Sequence, residues 1–333
     1  MIKVEHLVKM YGEHAAVDDL SFTVKKGQIY GFLGPNGAGK TTTMNMITGY
    51  LAPTEGNVTI NSYDILSQAE EAKKCIGYLP EIPPVYPDMT VYEYLRFVAE
   101  LKKVPKKERE KQIQDIMQLV EITDVEGRLI RNLSKGYKQR VGLAQAIIGY
   151  PEVIILDEPM VGLDPKEIIE IRTLIKKLAK EQHTIILSSH ILSEISTLCD
   201  HIMIIAKGRL VASDSPEGLQ KLMVKSVEIE VSALGTRQQA EQILSKIDHI
   251  QSYTFEEGAE ENSIKIKIVT EGDTDIRKEI SVALTNGDMP VLSMNKIERS
   301  LEDIFLQLTD VEDENDEEED DEEEEVETDD SDL

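Results

Sequence analysis

The eight residues GPNGAGKT, Gly34 to Thr41, have the types and spacing to hold a phosphate chain. They match the pattern G-x-x-x-x-G-K-[ST]. Gly34, Gly37 and Gly39 let the backbone turn tightly and aim N–H groups inward. Pro35, Asn36 and Ala38 complete the loop, and its amides would cradle phosphate oxygens together with a helix N-terminus. Lys40 supplies a compact positive charge for the β- and γ-phosphates. Thr41 offers a hydroxyl to Mg²⁺, and Thr42 follows it at the loop exit.

A second group lies in VIILDEP, Val153 to Pro159. Four apolar residues carry Asp157 to the end of a buried strand. A carboxylate placed there can hold Mg²⁺ through water. Glu158 follows directly and can polarise an attacking water. An apolar run ending in Asp-Glu says little alone; beside the phosphate loop it specifies a Mg·ATP site.

These residues need a rigid frame. IYGFL precedes the loop, and TTTMNMITGY can continue it as a helix. Short apolar runs at Ile29 to Leu33, Val153 to Leu156, Thr184 to Ser188 and His201 to Ile205 suit strands buried on both faces. They alternate with helical segments, which predicts an α/β fold. Thr90 to Val104 and Pro105 to Ile122 read as helices, so a helical subdomain over about 88–149 interrupts the α/β core.

From Ser226 the pattern changes. Val227, Ile229 and Val231 alternate; Ala240, Ile243, Leu244 and Ile247 follow helical spacing. Ile264, Ile266 and Ile268 alternate again, then Ile276, Ile280 and Ala283 are helical. With strands near Tyr253 and Leu292 the order is βαββαβ, a split-βαβ, ferredoxin-like arrangement. A last helix is expected from Ser300, with Leu301, Ile304, Phe305 and Leu308 on one face. The expected division is a catalytic domain over 1–222, a small α+β domain over 226–309 and an acidic tail over 310–333.

The ensemble of motifs resembles the ATP-binding-cassette (ABC) ATPase family, and the resemblance covers residues 1 to about 220. LSKGYKQR, Leu133 to Arg140, is similar to the family signature. GLDP, Gly162 to Pro165, resembles the D-loop, and LSSH ends in His190 as the switch histidine does. Tyr11 falls where an adenine-stacking aromatic is found. IGYLPEIPPVYPDMTVYEYL, Ile76 to Leu95, resembles the Q-loop segment, with Glu81 in place of Gln. Lys135 and Tyr137 also depart from the signature pattern.

The resemblance implies a head-to-tail dimer of two copies, with ATP between one P-loop and the other copy's signature. Ser134 and Gly136 would meet the γ-phosphate across that interface, and Asp164 would lie at it. Catalytic roles fall to Lys40, Glu158 and His190, and the metal would be held by Thr41, Asp157 and Glu81. The departures resemble bacterial exporter subunits of the drug-, sodium- and gliding-associated kind, which implies an integral-membrane permease as partner.

Composition agrees. The 333 residues carry a net charge of −27, but residues 310–333 hold 18 Asp or Glu and no Lys or Arg. Without them 45 acidic residues face 36 basic ones. The tail is low-complexity and self-repelling, and is expected to be disordered. No basic stripe suggests a nucleic-acid partner. Cys75 and Cys199 form no disulfide framework or metal spacing and suit a reducing compartment. The N-terminus is unlike a signal peptide, and no apolar run reaches the length of a membrane span. The expected location is cytoplasmic, peripheral on the membrane through the permease.

Two rival functions stay open. One is a soluble ABC ATPase acting on the ribosome or another macromolecular complex. The other is a nonhydrolysing ATP-dependent scaffold, against which Lys40, Asp157, Glu158 and His190 argue.

Overall fold

The computed structural model describes residues 2–222, 227–258, 260, 262–272 and 274–297. The chain divides into two compact units at Pro216/Glu217. The expected division at 222 is the last residue of the Pro216–Leu222 helix, so tertiary contacts divide the chain one helix earlier than composition does.

In the first unit a six-stranded sheet runs in the order Arg209–Asp214, His201–Ala206, Ile29–Leu33, Thr184–Ser189, Val153–Leu156, Ile76–Leu79. The Arg209–Asp214 and His201–Ala206 strands pair antiparallel; the other pairs are parallel. Ile29–Leu33, Val153–Leu156 and Thr184–Ser189 are buried at every position. Burial on both faces explains the apolar runs within them.

A second, antiparallel sheet has the order His14–Val24, Ile2–Tyr11, Glu55–Ile60, Tyr63–Asp64. Ile2, Val4 and Leu7 from it join Phe32, Met44, Ile155 and Ile205 in one hydrophobic core. Helices Val91–Leu101, Lys106–Leu119 and Lys135–Ile147 lie between the Ile76–Leu79 and Val153–Leu156 strands. Thr90 starts the first of them with a capping box to Glu93.

The second unit contains strands Glu228–Leu234, Ile250–Glu257, Ser263–Thr270 and Val291–Ile297 with helices Arg237–Leu244 and Arg277–Asn286, in βαββαβ order. Its sheet order is Ile250–Glu257, Ser263–Thr270, Glu228–Leu234, Val291–Ile297, all antiparallel. Val227, Ile229, Val231, Ala240, Leu244, Ile266 and Ile268 form its core. The helical stripe differs in one place from expectation: Leu284, four residues after Ile280, is buried, while Ala283 is half-buried. The helix expected from Ser300 and the acidic tail lie outside the described residues.

Candidate functional site

The site forms where the loop after Ile29–Leu33 meets the ends of two neighbouring strands. Gly37 and Gly39 have φ of 88° and 94°, values that favour glycine. A Cβ on Gly39 would lie 2.3 Å from the Ala16 carbonyl oxygen, and one on Gly34 would lie 2.3 Å from that of Ile205. The loop is therefore wedged between a strand of each sheet. Gly39 caps the Lys40–Ile47 helix, whose first turn holds no acidic residue. The positive end of that helix faces the pocket without an acidic residue of its own to offset it.

A pocket of about 260 Å³ is lined by Asn36, Gly37, Gly39, Lys40, Thr41, Thr42, Glu81, Glu158 and His190, with Ala16 and Val161. Lys40 is buried and donates to the Gly34 and Pro35 carbonyls at 2.8 and 3.0 Å. Its Nζ lies 3.7 Å from Glu158 Oε1. Burial pushes the Lys40 ammonium below its usual range, and the charges of Glu158, Asp157 and Glu81 pull it back up.

Glu158 joins the two sides of the site. Its other oxygen, Oε2, lies 3.1 Å from His190 Nδ1. Its backbone sits at φ 46°, a left-handed conformation uncommon outside glycine. A residue held in such a region at a strand end is strained, and strain of this kind gathers at functional sites.

Asp157 is fully buried, close enough to Lys40 for its charge to act there. Ser188 donates to Asp157 Oδ1 at 2.5 Å and accepts from the Glu158 amide at 2.9 Å. Among the described residues Asp157 Oδ2 has no hydrogen-bond partner. A buried carboxylate oxygen left unpaired is costly, and a divalent cation is the group it fits. Among the described residues no three His, Cys, Asp or Glu side chains form a metal cage by themselves. The donor set therefore suits Mg²⁺ shared with substrate phosphates and water, not an all-protein site.

Sequence reading missed Ser188, although it lies inside the LSSH segment. The signal was a hydroxyl one strand over from Asp157, and only sheet pairing reveals it.

Other expected residues lie outside this pocket. Tyr11 is 52% exposed at the end of its strand, with Lys9 Nζ 5.5 Å from its ring centre. Ser134 caps the Lys135–Ile147 helix by accepting from the Tyr137 amide at 3.3 Å. Asp164 caps the Pro165–Lys180 helix in a capping box with Glu167. The departure at Tyr137 has a local reason: its hydroxyl donates to Asp124 at 2.9 Å, which raises the phenol above its usual range. No helix of the described residues is long and apolar enough to cross a membrane.

A family model described as ABC transporter matches residues 17–161. The bacitracin transport ATP-binding protein BcrA of Bacillus licheniformis is 42% identical over 70% of this chain and 75% of its own length. The linearmycin resistance ATP-binding protein LnrL of Bacillus subtilis is 31% identical over 93% of this chain and 98% of its own. Among solved structures, an ATP-binding subunit of an ABC transporter superposes with a TM-score of 0.62 at 29% identity, covering 67% of this chain and 92% of its own. A dimeric ATP-binding cassette with ADP and Pi, in a post-hydrolysis state, gives a TM-score of 0.60 at 26% identity, covering 65% of this chain and 99% of its own. With these likenesses added to a phosphate loop, a buried Asp157 and a Glu158–His190 pair, the chain belongs to the ABC transporter family, as an ATP-binding subunit with ATPase activity.

Proposed function

We propose that this chain hydrolyses ATP to drive export through a separate integral-membrane permease, as one half of a head-to-tail dimer at the cytoplasmic face. The observation that carries the reading is the convergence of Lys40, Glu158 and His190 on one pocket, with the buried Asp157 carboxylate next to Glu158 in the chain. The transport and resistance roles named for two relatives support export over a ribosomal or other macromolecular target.

Loop amides from Gly34 to Gly39 and the Lys40–Ile47 helix N-terminus bind the phosphates. Lys40 leaves its carbonyl partners for the β- and γ-phosphate oxygens. Glu158 accepts a hydrogen bond from the attacking water and orients it in line with the γ-phosphorus. His190, bonded to Glu158, holds that carboxylate's rotamer and senses the γ-phosphate. Thr41, Asp157 and Glu81 would hold Mg²⁺, which neutralises charge on the phosphates when bound. Ser134 and Gly136, which do not line this pocket, act on the other copy's nucleotide in this reading. Tyr11 stacks on adenine and Asp164 contacts the second copy.

The deciding experiment is co-purification of the chain from native membranes, followed by ATPase assay of the complex. A polytopic membrane protein in the complex, with hydrolysis lost in Glu158→Gln, supports the reading. Ribosomal RNA instead of a membrane protein refutes it. Glu81→Gln tests the metal assignment: unchanged Mg²⁺ dependence and transport would remove Glu81 from the site.

A further inference from the structure

The Lys135–Ile147 helix has no acidic residue in its first turn, yet a carboxylate reaches that turn from a different helix. Glu167 Oε1 sits so close to Gly136 that a Cβ there would lie 2.0 Å from it. The approach is reciprocal. Lys135 Nζ reaches Gly162, where a Cβ would lie 2.1 Å from it. The Ser134–Gly136 turn and the Gly162–Asp164 turn therefore interlock within one copy of the chain.

Glu167 is held in this place. Its Oε2 accepts from the Asp164 amide at 3.3 Å, and its own amide donates to Asp164 Oδ1 at 2.8 Å. One turn further along, Arg140 pairs with Glu170 at 2.5 Å and fixes the two helices side by side.

We infer that Glu167 is a positioning residue that weakens the hold of the Ser134–Gly136 turn on a phosphate presented by a second copy of the chain. The inference rests on the head-to-tail reading above. A helix N-terminus draws anions through unsatisfied amides and the helix dipole. A carboxylate fixed against the first turn offsets that attraction and repels the triphosphate. Lys135, in the same turn, supplies the opposing charge. The balance lets ATP close the dimer while keeping it weak enough to reopen after hydrolysis.

The test uses the full chain carrying Glu158→Gln, so that ATP is bound and not consumed. Dimer formation is followed by sedimentation velocity as Mg·ATP is titrated, with and without Glu167→Gln. A glutamine preserves the capping box, so the helix start stays intact while the charge is removed. The ATP concentration at half-dimerisation is expected to fall by about fivefold. Nucleotide affinity of the dilute monomer is expected to stay the same, because this turn does not line its own pocket. A loss of packing alone would move half-dimerisation the other way, and Lys135→Met is expected to do so too. Glu167→Met removes the charge and the cap's acceptor together, so a fall in its half-point despite the lost cap supports the inference should the amide variant unfold. An unchanged or raised half-point overturns the inference. If Glu158→Gln alone stays monomeric at saturating ATP, the head-to-tail reading fails and this inference falls with it. If that parent dimerises and the two half-points coincide, Glu167 alone is refuted.

Discussion

The Lys102 ammonium donates to the Ala146 carbonyl at 2.9 Å, and the same nitrogen reaches the carbonyls of Gln145 and Ile148 at 2.9 and 2.8 Å. These carbonyls end the helix that Ser134 begins, and a cation suits the negative end of its dipole. Burial pushes Lys102 down to about 8 from an ordinary value of 10.5. Between those values the unfolded chain keeps a proton that the folded chain has released. The Lys102 contribution to stability therefore rises with pH across that window, by up to about 1.4 kcal/mol per pH unit, and is flat below it. Urea midpoints of the parent and Lys102→Met, compared at about pH 7 and about pH 9.5, are expected to differ by this contribution, with the parent gaining more stability than the variant as pH rises.

Lys40→Ala removes the charge that meets the phosphates. Charge-assisted contacts of about 3 kcal/mol are lost, so ATP affinity is expected to fall about 100-fold. Fluorescent-nucleotide titration checks this; unchanged affinity would move the phosphate site elsewhere.

Glu158→Gln keeps the shape of the pocket and removes the base. Turnover is expected to fall by about 10²- to 10⁴-fold with ATP binding retained. Phosphate release assays and equilibrium binding separate the two effects.

Ser188→Ala strips a donor from Asp157 and an acceptor from the Glu158 amide, both buried. A loss of about 1–3 kcal/mol of stability is expected, together with a weaker Mg²⁺ dependence of ATPase activity. Thermal melts and a Mg²⁺ titration measure these independently.

Gly39→Ala places a Cβ 2.3 Å from the Ala16 carbonyl oxygen in a backbone with φ 94°. The loop must shift to accept it. ATP binding is expected to be lost more completely than in Gly37→Ala, where φ is 88° but no atom lies within 4 Å.

The central strands were legible because burial on both faces writes itself as unbroken apolar runs, as at Val153–Leu156. The phosphate loop was legible because its glycines sit at fixed intervals. The pocket also brings Glu81 together with Lys40, Glu158 and His190, which lie far apart in the chain. Ser188 was not legible, since a serine in a strand carries no mark of its cross-strand neighbour. Lys102 was equally silent: a lysine after a helix reads as solvent-facing, and only packing shows it turned inward. The close approach of Glu167 to Gly136 depends on two helices that sequence alone cannot align.

The pairing of Val153–Leu156 with Thr184–Ser189 sets Leu156 opposite Leu187, and so Ser188 beside Asp157. A strand alternates its side chains, so a slip of one residue would turn the Ser188 hydroxyl to the other face. Both acids would then lose the group that aligns them, with every residue of the site still present in the chain. Alignment of two hydrophobic strands, outside the phosphate loop itself, thereby governs whether the acids are usable at all.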